Sequence, residues 1–351
     1  MIQRRKTRPV KVGSVRIGGG APVVVQSMTK VFTTDVDLCV RQIRRLAAAG
    51  CEIVRLAVPR AADTAALARI VRRVKVPLVA DIHFSPERAI EAIEAGAAKI
   101  RLNPGNIKDR SAVLRIIDAA KAHGVAIRIG VNEASIRDLR HDVPPARRIS
   151  LMVREMTGYV RLFEKRGFDQ LVLSAKSSNP VRTIEANRAI AQAFDCPIHV
   201  GLTHAGLPED ARTPSAVALG TLLAEGIGDT IRVSVAGDPV VETRMAVEIL
   251  EALGLRDRRG PEIVVCPTCG RTEVDLVGLA RKVKRTVSHV RRPIRVAVMG
   301  CVVNGPGEAA DADLAVCAGR AKAFLFRHGQ RVATVPEPRI LSALSDELAR
   351  L

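Results

Sequence analysis

Eight short apolar, β-branched runs recur between residues 23 and 235, and they set the architecture this chain can adopt. They occupy residues 23–27, 52–58, 78–82, 99–103, 126–131, 170–175, 198–203 and 230–235. Most are separated by Ala/Arg/Glu-rich stretches of helical period that end in glycine signals such as Ala49-Gly50, Ala95-Gly96 and His123-Gly124. Strand alternating with helix eight times over about 250 residues predicts a (β/α)8 TIM barrel. Residues 8–18 alternate like a β-hairpin placed to close the barrel's N-terminal end. A doubly wound open sheet is the competing fold. It normally carries a glycine-rich phosphate turn after its first strand, and Gln26-Ser27-Met28-Thr29 is not one.

Buried parallel strands should be continuously apolar, yet five of these runs hold a cation within or just beyond them. They read Ile53-Val54-Arg55-Leu56, Ile100-Arg101-Leu102-Asn103, Ile127-Arg128-Ile129-Gly130, Leu173-Ser174-Ala175-Lys176 and Ile231-Arg232-Val233-Ser234. Strand side chains alternate with period two. Arg101 therefore shares a face with Asn103, Arg128 with Asn132, Ser174 with Lys176, Arg232 with Ser234, and Asp81 with His83. A lone arginine of this kind is explained by snorkelling outward between helices. Five in one chain, with polar partners in phase, point inward to the C-terminal mouth where barrel active sites form. Such a ring repels itself when empty, so the cavity is expected to hold a polyanion. Guanidinium forks suit phosphate oxygens, and a diphosphate is the natural occupant.

The charged segment from Gly254 to Pro261 reads as a linker, dividing the chain into a barrel domain at 1–258 and a small α/β domain at 259–351. The second part is expected to contain a helix over 273–290, a strand over 294–299, strands over 323–327 and 331–335, and a last helix from Arg339. Cys266-Pro267-Thr268-Cys269 projects two thiolates from one turn, and Cys301 can supply a third. The following Asn304-Gly305-Pro306-Gly307 reads as a segment that neither continues a strand nor starts a helix, and so wraps something closely. Structural metal sites are usually closed by four protein ligands, so three thiolates suggest chemistry at a metal. A zinc ribbon brings a second CxxC or a histidine pair, and here His289 is the nearby imidazole, in a basic stretch. Spacing alone leaves iron–sulfur and zinc both open. Cys39, Cys51, Cys196 and Cys317 read as small buried apolar residues.

The net charge is +19, but the arginines are spread along the chain and aromatics are only 2%, which argues against specific nucleic-acid binding. No stretch approaches the ~18 apolar residues of a membrane span. Seven cysteines without an export signal suggest a reducing, cytoplasmic setting.

Several segments together resemble the 4-hydroxy-3-methylbut-2-enyl diphosphate synthases. They are residues 24–28, Val79-Ala80-Asp81-Ile82-His83-Phe84, Arg101-Leu102-Asn103-Pro104-Gly105-Asn106-Ile107, Ile127-Arg128-Ile129-Gly130-Val131-Asn132, residues 225–234, residues 266–271, and Gly300-Cys301-Val302-Val303-Asn304-Gly305-Pro306-Gly307-Glu308. The resemblance implies a [4Fe-4S] cluster held by Cys266, Cys269, Cys301 and Glu308. It implies reductive opening of 2-C-methyl-D-erythritol 2,4-cyclodiphosphate to the linear allylic diphosphate, with a hydroxyl lost as water, in isoprenoid biosynthesis. Arg55, Arg101, Arg128, Lys176 and Arg232 would hold the diphosphate, helped by Asn103, Asn132, Ser174 and Ser234. Asp81 and His83 would orient the ring or move protons. The family's implied partners are a reduced flavodoxin or ferredoxin, both acidic, and a second subunit in a head-to-tail homodimer, whose cluster domain covers the barrel mouth.

Two other functions share some of these features. A basic, zinc-binding, RNA-associated protein would show the cysteines and the charge but not inward arginines. A pterin-type barrel methyltransferase with a cluster domain would share the architecture. The chain also departs from the family. Lys30-Val31-Phe32 stands where Asn-Thr-Arg is usual, and Thr203-His204-Ala205-Gly206 stands where Thr-Glu-Ala-Gly is usual. Imidazole titrates near ~6.5 against ~4.3 for glutamate. His204→Glu should therefore stay active with a shifted pH–rate profile, while His204→Ala should lose rate with little loss of substrate affinity. An unmoved profile and undiminished turnover in His204→Ala would leave His204 a packing residue.

Overall fold

The computed structural model describes residues 2–82, 84–103, 106, 107, 109–133, 136, 143–203, 205–301 and 305–351, with backbone only for Pro145, Ala146 and Glu308. They form two compact units, Met1–Arg256 and Asp257–Leu351.

The first unit opens with the hairpin β1 (Val10–Val12) and β2 (Val15–Ile17). Eight parallel strands follow: β3 (Val24–Met28), β4 (Ile53–Ala57), β5 (Leu78–Asp81), β6 (Lys99–Leu102), β7 (Ala126–Asn132), β8 (Leu171–Lys176), β9 (His199–Val200) and β10 (Thr230–Ile231). Each is followed by a helix: α1 (Val36–Ala48), α2 (Ala61–Val71), α3 (Pro86–Glu94), α4 (Arg110–His123), α5 (Pro145–Lys165), α6 (Pro180–Ala193), α7 (Pro208–Ala224) and α8 (Pro239–Ala252). The sheet runs β8-β7-β6-β5-β4-β3-β10-β9. It is closed by the bridge Leu173↔Ile198, where Leu173 N–H donates to Pro197 O at 2.9 Å. This is a (β/α)8 barrel, as the strand–helix alternation predicts.

Local chemistry starts the helices where the strands end. Ser85, Asn179 and Asp238 each accept from a backbone N–H of the first turn, and a proline follows each of them. Proline's fixed φ and missing N–H suit a first helical position. These short caps turn the chain sharply at the strand ends, so the inward residues just before them are held by regular backbone.

The inner face follows period two from the bottom up. Val24, Ile53, Val79, Ala126 and Val172 pack with Val10, Val12 and Ile17 of the hairpin in one apolar cluster. Two residues further along the same strands come Gln26, Arg55, Asp81, Arg128 and Ser174. The outer faces of the strands join the helices in the main core, with Val25, Val54, Ile100, Ile127, Leu171 and Ile231 among its members.

The second unit is a five-stranded sheet: β11 (Glu262–Val265), β12 (Arg295–Met299), β13 (Leu314–Ala318), β14 (Lys322–Arg327) and β15 (Gln330–Pro336). The first three are parallel and the last two antiparallel. Helices α9 (Leu276–Val287) and α11 (Ile340–Leu348) bury Leu276, Val283, Ile340 and Leu344 with the sheet's Val296, Val298, Val316 and Leu325. Sequence reading passes over β11 and β13. The former is half-exposed, and the latter is mostly alanine and valine in a run too short to show a period.

The segment after Cys301 needs a correction. Gly305–Glu308 forms a helical turn, α10, where the sequence suggested that no helix could start. Pro306 falls in the first turn, where no N–H is needed, and Ala309 N–H donates to Gly305 O at 3.0 Å. A Cβ at Gly305 would lie 3.0 Å from both Cys317 Sγ and Met299 Cβ, so glycine lets the turn seat directly on the sheet. Among the described residues, no helix is long and apolar enough to cross a membrane.

Asp229 ties the N-terminal segment to the closing strands. Its carboxylate is buried and accepts from Ile198 N–H at 2.9 Å and Arg4 Nη2 at 2.9 Å. Asp229→Ala leaves both donors without this acceptor, and should destabilise the barrel by about 2–4 kcal/mol. Urea unfolding at unchanged slope measures this. A loss below half a kcal/mol, as typical of surface changes, would show that the clamp is redundant.

Candidate active site

At the C-terminal end of the barrel, a cavity of about 290 Å³ is walled by Arg55, Asp81, Arg101, Arg128, Asn132, Lys176, Leu202, Thr203, Arg232 and Ser234. All but Leu202 are in phase on the inner faces of their strands or the strand extensions. Arg128 is only 3% exposed and Lys176 and Arg232 9%, so these side chains do not snorkel outward. Asn103 and Ser174 are also buried but do not form part of this wall. His83 and His204 lie outside the described residues, as does the side chain of Glu308.

Small residues make room for the cations. The guanidiniums of Arg101 and Arg128 lie over Gly130, where a Cβ would be 3.5 Å from Arg101 Nε and 3.7 Å from Arg128 Nη2. Gly201 is tighter. A Cβ there would fall 2.6 Å from Lys176 Nζ and 2.5 Å from the backbone oxygen of Arg232.

Two carboxylates offset part of the positive charge. Asp81 lies 3.4 Å from Arg101 Nη1 and 3.7 Å from Arg55 Nε. Glu242, on the inward side of α8 and 1% exposed, contacts Arg232 at 3.3 Å and Lys30 Nζ at 2.9 Å. It also accepts from Ser27 Oγ and Val235 N–H, each at 3.1 Å. Glu242 and Lys30 were not legible as site residues, because helical position alone does not say that a glutamate reaches back under a strand. They border a second, adjoining cavity of about 510 Å³ that shares Arg232 and Ser234 with the first.

Arg128 and Lys176 make no ion pair among the described residues, and Arg128 Nε and Nη1 and Arg101 Nε have no hydrogen-bond partner there. Burial, opposed by Asp81 and aided by Arg232 and Arg101, pushes the Arg55 pKa down to about 10. Burial and then the surrounding guanidiniums push Arg128 and Lys176 well below their usual ranges. Each shift has the same meaning: the charge is held here at a cost that an anion would offset. Rigid, desolvated donors without partners make a site for a multiply charged, oxygen-rich ligand.

In the second unit, β11 and β12 run parallel in register, Val265 opposite Val298, and lead into Cys266 and Cys301. Gly300 N–H donates to Cys266 Sγ at 3.3 Å, and Cys269 N–H donates to Thr272 Oγ1 at 3.1 Å. Cys269 is exposed, and Cys266 and Cys301 are partly so. Cys317 is not simply an isolated core residue. It sits opposite Met299 beneath α10, and burial first, then Cys301 and Cys266, push its thiol up to about 12. Register brings the strand ends before Cys266 and Cys301 side by side, with Cys269 three residues on from Cys266, but no three metal-ligating side chains converge among the described residues.

Comparison with known proteins covers both units. Residues 7–247 match the GcpE TIM-barrel domain and residues 262–350 match the GcpE protein C-terminal domain. The chain is similar to a protein of Nitratidesulfovibrio vulgaris described as 4-hydroxy-3-methylbut-2-en-1-yl diphosphate synthase (flavodoxin), with 50% identity over 99% of this chain and 90% of that one. A protein of Aquifex aeolicus with the same description is 47% identical over 100% of this chain and 98% of its own length. Among solved structures, dihydropteroate synthase from Xanthomonas albilineans aligns with a TM-score of 0.52 at 18% identity, over 70% of this chain and 97% of that one. That likeness shows the barrel alone and carries no pterin chemistry to this chain.

The packing around Gly201 gives a paired test. Gly201→Ala must displace Lys176 and the backbone at Arg232, and should destabilise the barrel by about 1–3 kcal/mol while weakening anion binding. Gly130→Ala meets only ordinary contact distances and should be tolerated. Denaturant unfolding and calorimetric titration with inorganic diphosphate measure both. Equal behaviour of the two variants would contradict the described packing.

Proposed function

The chain belongs to the GcpE family, and on that premise we propose that it reductively opens 2-C-methyl-D-erythritol 2,4-cyclodiphosphate to 4-hydroxy-3-methylbut-2-enyl diphosphate, a step of isoprenoid biosynthesis. It is an oxidoreductase. The observation that carries the reading is the inward ring of Arg55, Arg101, Arg128, Lys176 and Arg232 around one cavity, in a chain that also brings Cys266 and Cys301 to one end of a second sheet. In the reaction, one carbon–oxygen bond to phosphate and one to the departing hydroxyl break and a carbon–carbon double bond forms. Two electrons and one proton enter, and water leaves.

The barrel's own residues account for binding and orientation. Arg101, Arg128, Lys176 and Arg232 hold the diphosphate oxygens, with Asn132 and Ser234 donating hydrogen bonds from the same wall. Asp81 holds the planes of Arg55 and Arg101, and Glu242 holds that of Arg232, so the donors are aligned before the ligand arrives. Asn103 and Ser174, buried beside this wall, are proposed to add hydrogen bonds to the substrate. His83 and His204 are proposed to orient the ring and to move the proton.

The cofactor proposed is a [4Fe-4S] cluster on Cys266, Cys269, Cys301 and the carboxylate of Glu308. The solvent-accessible thiols and the Gly300 N–H at Cys266 Sγ support this assignment. When bound, a cluster supplies single electrons at a position whose carboxylate ligand is harder and more replaceable than thiolate. A flavodoxin is the donor named in the relatives, and an acidic protein of that kind suits a chain of net charge +19. A homodimer is also proposed. Phe32, Phe84, Val181 and Leu207 are exposed on loops and a helix start that follow barrel strands, where a second subunit would cover them. The proposed setting is the cytoplasm.

Purified without oxygen, the protein should be brown, bleach on reduction, and turn over the cyclodiphosphate with a strong reductant. A colourless zinc protein without turnover would overturn the proposal. Glu308→Ala should fold normally yet lose iron readily and turn over slowly. Full iron content with normal turnover in that variant would remove Glu308 from the ligand set.

A further inference from the structure

Below the cation-walled cavity, one step nearer the apolar end of the barrel, lies a second polar layer that binding does not explain. Lys99 stands two residues below Arg101 on β6, His199 two below Gly201 on β9, and Thr230 two below Arg232 on β10. Lys99 is completely buried, and its Nζ donates to Gln26 Oε1 of β3 at 3.2 Å. His199 is also completely buried, and its Nδ1 lies 2.6 Å from Thr230 Oγ1. Its Nε2 has no hydrogen-bond partner among the described residues, and neither has Gln26 Nε2. Lys99 makes no ion pair there. A buried ammonium needs three acceptors or a counter-ion, and among the described residues this layer offers Lys99 only Gln26 Oε1.

The groups around these two bases are nearly all cationic. Arg128 of β7 and Arg55 of β4 act on Lys99, and burial is the larger influence on it. His199 feels burial first, then Arg128, Lys176 of β8, Lys99 and Arg55. Asp81 of β5 is engaged one layer higher with Arg101 and Arg55. Both Lys99 and His199 are accordingly pushed well below their usual ranges beneath the ring of cations.

We propose that Lys99 and His199 are positioning residues that take up a proton when the diphosphate site fills, supplying counter-charge that the fixed guanidiniums cannot adjust. The inference rests on the reaction proposed above and adds a proton-linked layer to it. The ligand's charge changes during that reaction. Each phosphorus of the cyclodiphosphate carries one ester and one anhydride oxygen and so one charge, whereas the linear product ends in a terminal phosphate that can ionise a second time. A site of always-charged arginines is matched to one of these states. Bases poised beneath it let the same site hold both, because an added negative charge above raises their proton affinity. The proton comes from solvent and returns to solvent on product release, so the layer balances charge without entering the bond-breaking step.

The test is calorimetric titration of the oxidised holoprotein with the cyclodiphosphate, without reductant. Runs at one pH above neutrality in buffers of different ionisation enthalpy count the protons bound. The cyclodiphosphate has no group that titrates near neutral pH, so every proton counted belongs to the protein. The wild type should take up a proton fraction approaching one, and its affinity should fall as pH rises. Lys99→Met should lose most of the uptake and the pH dependence, and His199→Gln should lose part of it. Binding without proton uptake in the wild type would overturn the inference and leave the proposed function intact. Undiminished uptake in His199→Gln and in Lys99→Met would also overturn it, and His199→Gln decides alone if Lys99→Met does not fold. Absence of cyclodiphosphate binding would instead strike at the proposed function.

Discussion

Mutual repulsion among Arg55, Arg101, Arg128, Lys176 and Arg232 is the constraint around which the barrel is built. Left to relax, five cations would turn outward to water. They are kept inward by strand geometry, since a side chain in phase with the inner face can leave it only if its whole strand shifts register. That register is fixed by the apolar outer faces, which bury Val25, Val54, Ile100, Ile127 and Ile231 beneath the helices. The main core therefore holds the charges in place. Asp81 and Glu242 relieve the strain only partly, and each acts as a brace for orientation as well as a counter-charge.

Much of this was legible in the sequence, for a physical reason. Period-two alternation in short parallel strands is close to obligatory, so Arg101, Arg128 and Arg232 could be assigned to one face without coordinates. The same rule failed where contact depends on another element. Glu242 is an ordinary helical glutamate by sequence, and only the packing of α8 on β3 brings it beneath Arg232. Lys99 looks like a solvated charge at the start of a strand, yet the barrel closes over it. Gly305–Glu308 was read as a segment that breaks structure, because glycine and proline weaken helices in their interiors. At a first turn they do not, and the close approach to Cys317 needs the glycine.

The smaller unit uses its backbone differently. Its parallel pair β11 and β12 delivers Cys266 and Cys301 from matched strand ends, and the CxxC turn adds Cys269 without needing a core of its own. The mixed sheet and the helices α9 and α11 share one core behind that end, so Cys266 and Cys301 closely follow regular strands. Cys317, one strand away, marks the limit of reading cysteines from sequence. Isolation along the chain says nothing about neighbours across a sheet.

The hairpin β1–β2 has a consequence for traffic. Val10, Val12 and Ile17 meet the lowest inward residues of the strands in an apolar, close-packed floor. The barrel is thus a blind well with one opening. Reactant, product and displaced water must share the same doorway, and they must do so in turn. A molecule lodged at the rim would not need to reach the arginines to stop the enzyme. It would trap whatever already lay below, making the rim a place for obstruction as well as for recognition.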